Sequence, residues 1–308
     1  MKIRIIGILC IVTWAISSCG KEPSFEQDDD PPPVADTLQV DTDTIPLAEN
    51  GGLLKRLVTK YDGEEDSLVL AFKYDNKNRL LEISGLHEGP VDDVDDTYKY
   101  LEQYTWNSNG FVEKIKQVIY LYSDYSGTGN YVPQLFWDAD YEVHFDESTS
   151  RYTYTILTGT GEGKPFKDSL VYRYNGSKIE QFLDYDTPFN LNEYVLGDSL
   201  GYTYDGMGNI IEKTGTNRDY PDGRKPSARY VIEYDDKLNP VSMGNEALLA
   251  GYNTSFLPTQ NNIKKHTDLL YEYNYSIDYT YNMHDKPTTA IIKYDDGEIQ
   301  SQRYYYLK

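Results

Sequence analysis

From residue 53 onward, apolar and polar side chains alternate in short runs. Phe72 and Tyr74 flank Lys73, and Tyr104 and Trp106 flank Thr105. Tyr141, Val143 and Phe145 alternate with Glu142, His144 and Asp146, and Tyr230, Ile232 and Tyr234 with Arg229, Val231 and Glu233. Successive side chains of a strand point to opposite faces, so this period of two predicts strands with one ring-lined face and one hydrophilic face. No stretch of the mature region carries a long 3.6-residue apolar period. Only Glu246 to Ala250, within 244–257, has the composition of a short helix.

Many of the runs end the same way: two aromatics one residue apart, then Asp or Asn, a short polar turn, and an apolar residue that opens the next strand. Copies run from Phe72 to Leu80, Tyr104 to Phe111, Tyr172 to Ile179, Tyr202 to Ile210, Ile232 to Pro240 and Tyr279 to Pro287. The Asp or Asn side chain can bond the turn backbone. A Gly or Asn three or four places on suits the left-handed conformation of a bulged hairpin loop. Spacing near 30 residues predicts a large antiparallel meander of copied hairpins, curled or barrel-like, over residues 51–308. The 31 Tyr, against 9 Phe and 3 Trp, fit strands whose rings pack while their hydroxyls stay wet.

Ahead of this domain the chain reads as an export signal and a tether. Lys2 and Arg4 precede the apolar stretch Ile5–Ile16, which is too short to span a bilayer, and Ser17 and Ser18 lead to Cys19. The run Ile16-Ser17-Ser18-Cys19 resembles a lipobox. That resemblance implies cleavage after residue 18 and diacylglycerol on Cys19. Cys10 and Cys19 are the only cysteines, so the mature domain has no internal disulfide, though it is exported. Residues 19–50 hold Asp28-Asp29-Asp30, Pro31-Pro32-Pro33 and alternating Asp and Thr. Charge repulsion and proline stiffness keep such a tether extended.

Tyr202-Thr203-Tyr204-Asp205-Gly206-Met207-Gly208-Asn209-Ile210 resembles the YD repeats of Rhs and teneurin-type shells, with the other copies more degenerate. With the lipobox, residues 50–308 look like uncharacterised Bacteroides-type lipoproteins with YD-like hairpins and a porin-like antiparallel sheet. The resemblance implies an outer-membrane lipoprotein, periplasmic or surface-exposed, and no known activity. A soluble sheet is expected over a membrane barrel. Tyr dominates the apolar face, where a lipid-facing belt needs a tall aliphatic band. A lipid anchor would also be redundant on a chain that already spans the membrane.

The formal net charge is −21, and losing Lys2 and Arg4 with the signal makes the mature chain more acidic still. That field repels phosphate backbones and excludes nucleic acid as a partner class. The acidic run Val91–Asp96 offers oxygens to Ca²⁺ but lacks EF-hand spacing, and a solvated loop explains it as well. His87, His144, His266 and His284 show no metal-ligand spacing and read as surface or strand positions. No nucleophile elbow or phosphate loop is present, so no cofactor and no enzyme activity are expected. The leading expectation is a membrane-anchored, non-enzymatic binding or scaffold module for glycan or an envelope protein. Exposed rings stack on sugar faces, and the aromatics considered for such a surface are Trp106, Trp137, Tyr172, Tyr174, Tyr202 and Tyr204. A carboxylate-pair hydrolase and a purely structural envelope protein are the alternatives.

Overall fold

The computed structural model describes residues 52–61, 66–87, 97–123, 132–161, 163–186, 195–217, 225–241, 245–250 and 259–307. The signal peptide, Cys19, the tether and the acidic run Val91–Asp96 lie outside the described residues.

Sixteen strands form one closed antiparallel barrel in which every strand pairs with its chain neighbours. They are β1 (Leu54–Tyr61), β2 (Asp66–Tyr74), β3 (Leu80–His87), β4 (Tyr98–Trp106), β5 (Val112–Ser123) and β6 (Val132–Asp146). Next come β7 (Arg151–Gly161), β8 (Lys164–Asn175), β9 (Lys178–Asp186), β10 (Val195–Tyr204) and β11 (Ile210–Asn217). The last five are β12 (Lys225–Leu238), β13 (Asn261–Asp268), β14 (Tyr275–Tyr281), β15 (Pro287–Tyr294) and β16 (Ile299–Tyr306). Closure comes from β1 on β16, with Leu54 opposite Tyr306 and Leu57 opposite Tyr304. The expected meander is therefore a barrel.

The Tyr-Asp motif has a mechanical reading at the turns. Asp75, Asn107, Asp205 and Asn282 each accept two backbone amides on Oδ1, from the residues two and four places on, at 2.8–3.1 Å. The residue three places on is left-handed in each copy: Asn78 (φ 63°), Gly110 (89°), Gly208 (93°) and Asp285 (57°). A register shift precedes the last aromatic of each of these hairpins. In several strands the last ring reaches sideways to the backbone of an adjoining hairpin, whereas Tyr281 bonds the Asp235 side chain and Tyr74 makes no such bond. Tyr204 Oη donates to Ile179 O, Tyr234 Oη to Ile210 O, and Tyr306 Oη to Pro287 O, each at 2.7 Å. Trp106 Nε1 donates to Leu80 O at the same distance. Each acceptor opens a return strand or lies one residue into it, so these rings tie one hairpin to the next.

The Ile232–Pro240 copy differs from expectation. Asp235 caps Lys237 N at 2.9 Å, but the chain does not turn back there. Among the described residues none that follows in this copy is left-handed, and Pro240 has no amide to give. Instead the chain enters a strap containing the 3-10 helix Asn245–Leu248, where the sequence predicts a short helix. The strap runs from the β12–β13 wall to β7–β9. Tyr152 Oη donates to Glu246 at 2.9 Å, Tyr172 Oη to Leu249 O at 3.0 Å, and Asn245 Nδ2 to Ser177 O at 2.9 Å. Ala247, Leu248, Leu249 and Ala250 are all buried. These contacts lie at the end of the barrel that carries the Tyr-Asp turns.

The two faces of the wall have opposite polarity. Facing inward at mid-depth, Ile83, Ala139, Phe182, Leu200 and Ala290 are each 0% exposed. A round sixteen-strand barrel leaves an aqueous lumen, so burial of residues as small as alanine means that side chains fill this interior. Facing outward, ion pairs link neighbouring strands: Lys73–Glu82 at 2.6 Å, Lys116–Asp140 at 3.0 Å, Lys265–Glu233 at 3.4 Å and Lys293–Asp278 at 2.7 Å. Exposed pairs contribute little stability, and their value here is to mark which face carries the charges.

Candidate functional site

Toward the end opposite the strap, several inward residues are half-exposed. On one arc of the wall this open end is lined by rings. His87 of β3 stacks on Tyr98 of β4, with centroids 4.9 Å apart and an interplanar angle of 13°. Tyr61 of β1 meets His87 edge-on at 6.3 Å. His266 of β13 stacks on Tyr275 of β14 at 4.8 Å and 3°, and lies 4.8 Å from Tyr230 of β12. Lys213 Nζ of β11 is 5.6 Å from the centre of the Tyr230 ring. On the facing arc, Trp137 of β6 stacks on Phe166 of β8 at 4.5 Å, lying against Gly161, where a Cβ would come within 3.0 Å of the indole. Asp168 and Asp184 share this side by strand parity.

Burial shapes the electrostatics. Loss of hydration pushes the His266 imidazole down to about 4, with Asp268 pulling the other way, so it is neutral at physiological pH. Deeper in the wall, Glu102 is 0% exposed. It accepts from Tyr100 Oη and Tyr104 Oη, and from Gln117 Nε2 at 2.6 Å, while Tyr141 Oη donates to Gln117 Oε1 at 2.5 Å. Burial drives this carboxyl above the usual range, against the pull of its three donors. Among the described residues no group of three or more His, Cys, Asp or Glu is placed to hold a metal ion. The arrangement offers stacking faces, a neutral imidazole and one ammonium: chemistry for holding a ligand.

The six aromatics singled out in the sequence occupy three levels. Trp106, Tyr174 and Tyr204 sit at the strap end, Trp106 and Tyr204 as ties between hairpins. Arg151 lies 5.0 Å over the Tyr174 ring, whose hydroxyl burial pushes up to about 12. Tyr172 and Tyr202 lie in the interior, 6% and 5% exposed, with Tyr172 Oη also 2.6 Å from Thr155 Oγ1. Trp137 alone lies at the open end. The other open-end residues, His87, His266, Tyr61, Tyr98, Tyr230 and Tyr275, were not singled out. Each has inward parity, but parity names a face and not a depth.

No known family matches the chain, and no curated protein does. Among solved structures it is similar to a porin-like protein from Bacteroides uniformis, at 12% identity and TM-score 0.47, covering 85% of this chain and 99% of that one. A porin-like protein from Bacteroides vulgatus is also similar, at 12% identity and TM-score 0.41, with 83% and 99% covered.

Proposed function

We propose that the chain is a lipid-anchored cell-envelope protein whose barrel stands in water and holds a glycan or a partner protein at its ring-lined open end. One observation carries the reading: the inner face is largely apolar and aromatic, while lysine–carboxylate pairs stand on the outer face. A lipid-facing wall would bear its charges at a cost of about 2–4 kcal/mol for each Lys or Arg near the bilayer midplane. Here Lys73, Lys116, Lys265 and Lys293 stand on the outer face beside carboxylates. A barrel of this polarity needs a separate anchor, and Cys19 with its lipobox-like run supplies one. At the open end, the half-exposed faces of Tyr98, Tyr230 and Tyr275 can stack on sugar rings, with His87 and His266 as hydrogen-bonding neighbours.

Two experiments test the two halves. Palmitate labelling of cells making the chain should mark the mature protein, and Cys19→Ala should abolish the label. A glycan array probed with the barrel should give binding that Tyr98→Ala and Tyr275→Ala each weaken about tenfold or more, by loss of one stacking partner. Binding untouched by both variants would move the site elsewhere. The burial of Tyr104, Tyr141, Tyr172 and Tyr202 also favours a second reading, a purely structural envelope protein. An array and an envelope pull-down that both return nothing would select it.

A further inference from the structure

The β13–β14 seam is built unlike any other in the barrel. Only Lys265 with Ser276 and His266 with Tyr275 are in register there. Every other seam carries five or more register pairs in all, for example Thr289–Arg303 to Lys293–Ile299 between β15 and β16. Toward the strap end the two strands are joined by phenol hydroxyls. Tyr279 Oη donates to Ile263 O at 3.0 Å. Tyr281 Oη donates to Asp235 of β12, passing over β13, and lies 3.5 Å from Asn262 Nδ2.

We propose that the β13–β14 seam is the line along which the closed barrel parts, with Tyr279 and Tyr281 as its latch. Local opening follows the weakest set of bonds. Parting any other seam breaks a ladder of backbone pairs, whereas parting this one breaks two register pairs, a few side-chain bonds and the His266–Tyr275 stack. The opening would admit solvent to Ile277, an inward residue only 8% exposed that sits beside the latch on β14. Leu170, like Ile277 the third inward residue from the strap end of its strand, is on β8, 2% exposed and far from the seam.

The test is thiol labelling of the intact chain with N-ethylmaleimide, read by mass on the peptide that carries the introduced cysteine. Ile277→Cys should label at least tenfold faster than Leu170→Cys. Adding Tyr279→Phe should speed the first about fivefold, by loss of one hydrogen bond, and leave the second unchanged. Equal rates, or equal acceleration at both sites, would overturn the proposal. A second measurement avoids buried substitutions. A cross-link in Lys265→Cys/Ser276→Cys should slow hydrogen exchange along β14 about tenfold. One in Ile291→Cys/Ser301→Cys closes a hairpin of nearly the same length and should leave β14 unchanged. Cross-links that act alike would overturn it as well.

Discussion

The tie between hairpins gives the Tyr of the repeated motif a measurable role. In Tyr204→Phe the ring keeps its packing and one hydroxyl is lost. That hydroxyl donates to Ile179 O at 2.7 Å, and Ile179 is 0% exposed. The variant therefore loses a hydrogen bond worth about 0.5–1.5 kcal/mol net, and the abandoned carbonyl has no water to replace it, which moves the expected cost to about 1–2 kcal/mol. In a domain of this size, each kcal/mol lowers Tm by about 2–4 °C. Urea unfolding followed by circular dichroism should show a lower midpoint with an unchanged slope. Tyr234→Phe and Tyr306→Phe remove the equivalent bonds on other hairpins. The cost at Tyr306, on a distant strand, should add to that at Tyr204, whereas Tyr234 bonds Ile210, the register partner of Tyr204, so those two costs should couple. Tyr305→Phe is the control. Its ring lies under Arg56 at 4.3 Å on the outer face, and its loss should stay below about 0.5 kcal/mol. A Tyr204→Phe midpoint no lower than that of Tyr305→Phe would refute the reasoning.

Glu102→Gln should hold the wild-type fold and remove one source of pH dependence. Because burial raises the Glu102 carboxyl in the folded state, wild-type stability falls as pH climbs from the ordinary carboxylate range through the raised value. Urea midpoints at pH 5 and pH 8 should therefore differ less in the variant. His266 acts with the opposite sign. Its folded value near 4 lies below 6.5, so stability is fully present above pH 6.5 and is lost as pH falls toward 4, by about 3 kcal/mol. His266→Phe keeps a ring between Tyr230 and Tyr275 and should flatten that stretch of the stability profile. Leu200→Lys places an ammonium on a residue that is 0% exposed and should prevent folding, while Lys73→Leu on the outer face should shift the urea midpoint by less than about 0.5 kcal/mol.

Hairpins were legible in the sequence because their signals are local. Period-two alternation names the strand faces, and Asp205 with Gly208 names the turn. Closure was not, because it rests on Leu54 meeting Tyr306 across almost the whole domain, and no local pattern states that pairing. The strap was half legible: Glu246 to Ala250 reads as a short helix, but its docking on Tyr152 and Tyr172 depends on the far wall. Tyr172 and Tyr174 show why the site was harder still. They share one motif and one parity, yet the first is a buried interior ring and the second sits half-exposed under Arg151 at the strap end. Depth along the barrel is set by register between strands, and register is a property of pairs. His87 and His266 escaped for the same reason. They are distant in sequence and become parts of one ring-lined arc only when β1 closes on β16.

The polarity of the wall is tested most directly by making residues 51–308 without signal, tether or lipid and holding them in buffer free of detergent. Sedimentation should show one compact soluble species with the circular dichroism of sheet and a single cooperative unfolding transition. A chain that aggregates in water and folds only when detergent or lipid is added would contradict the account.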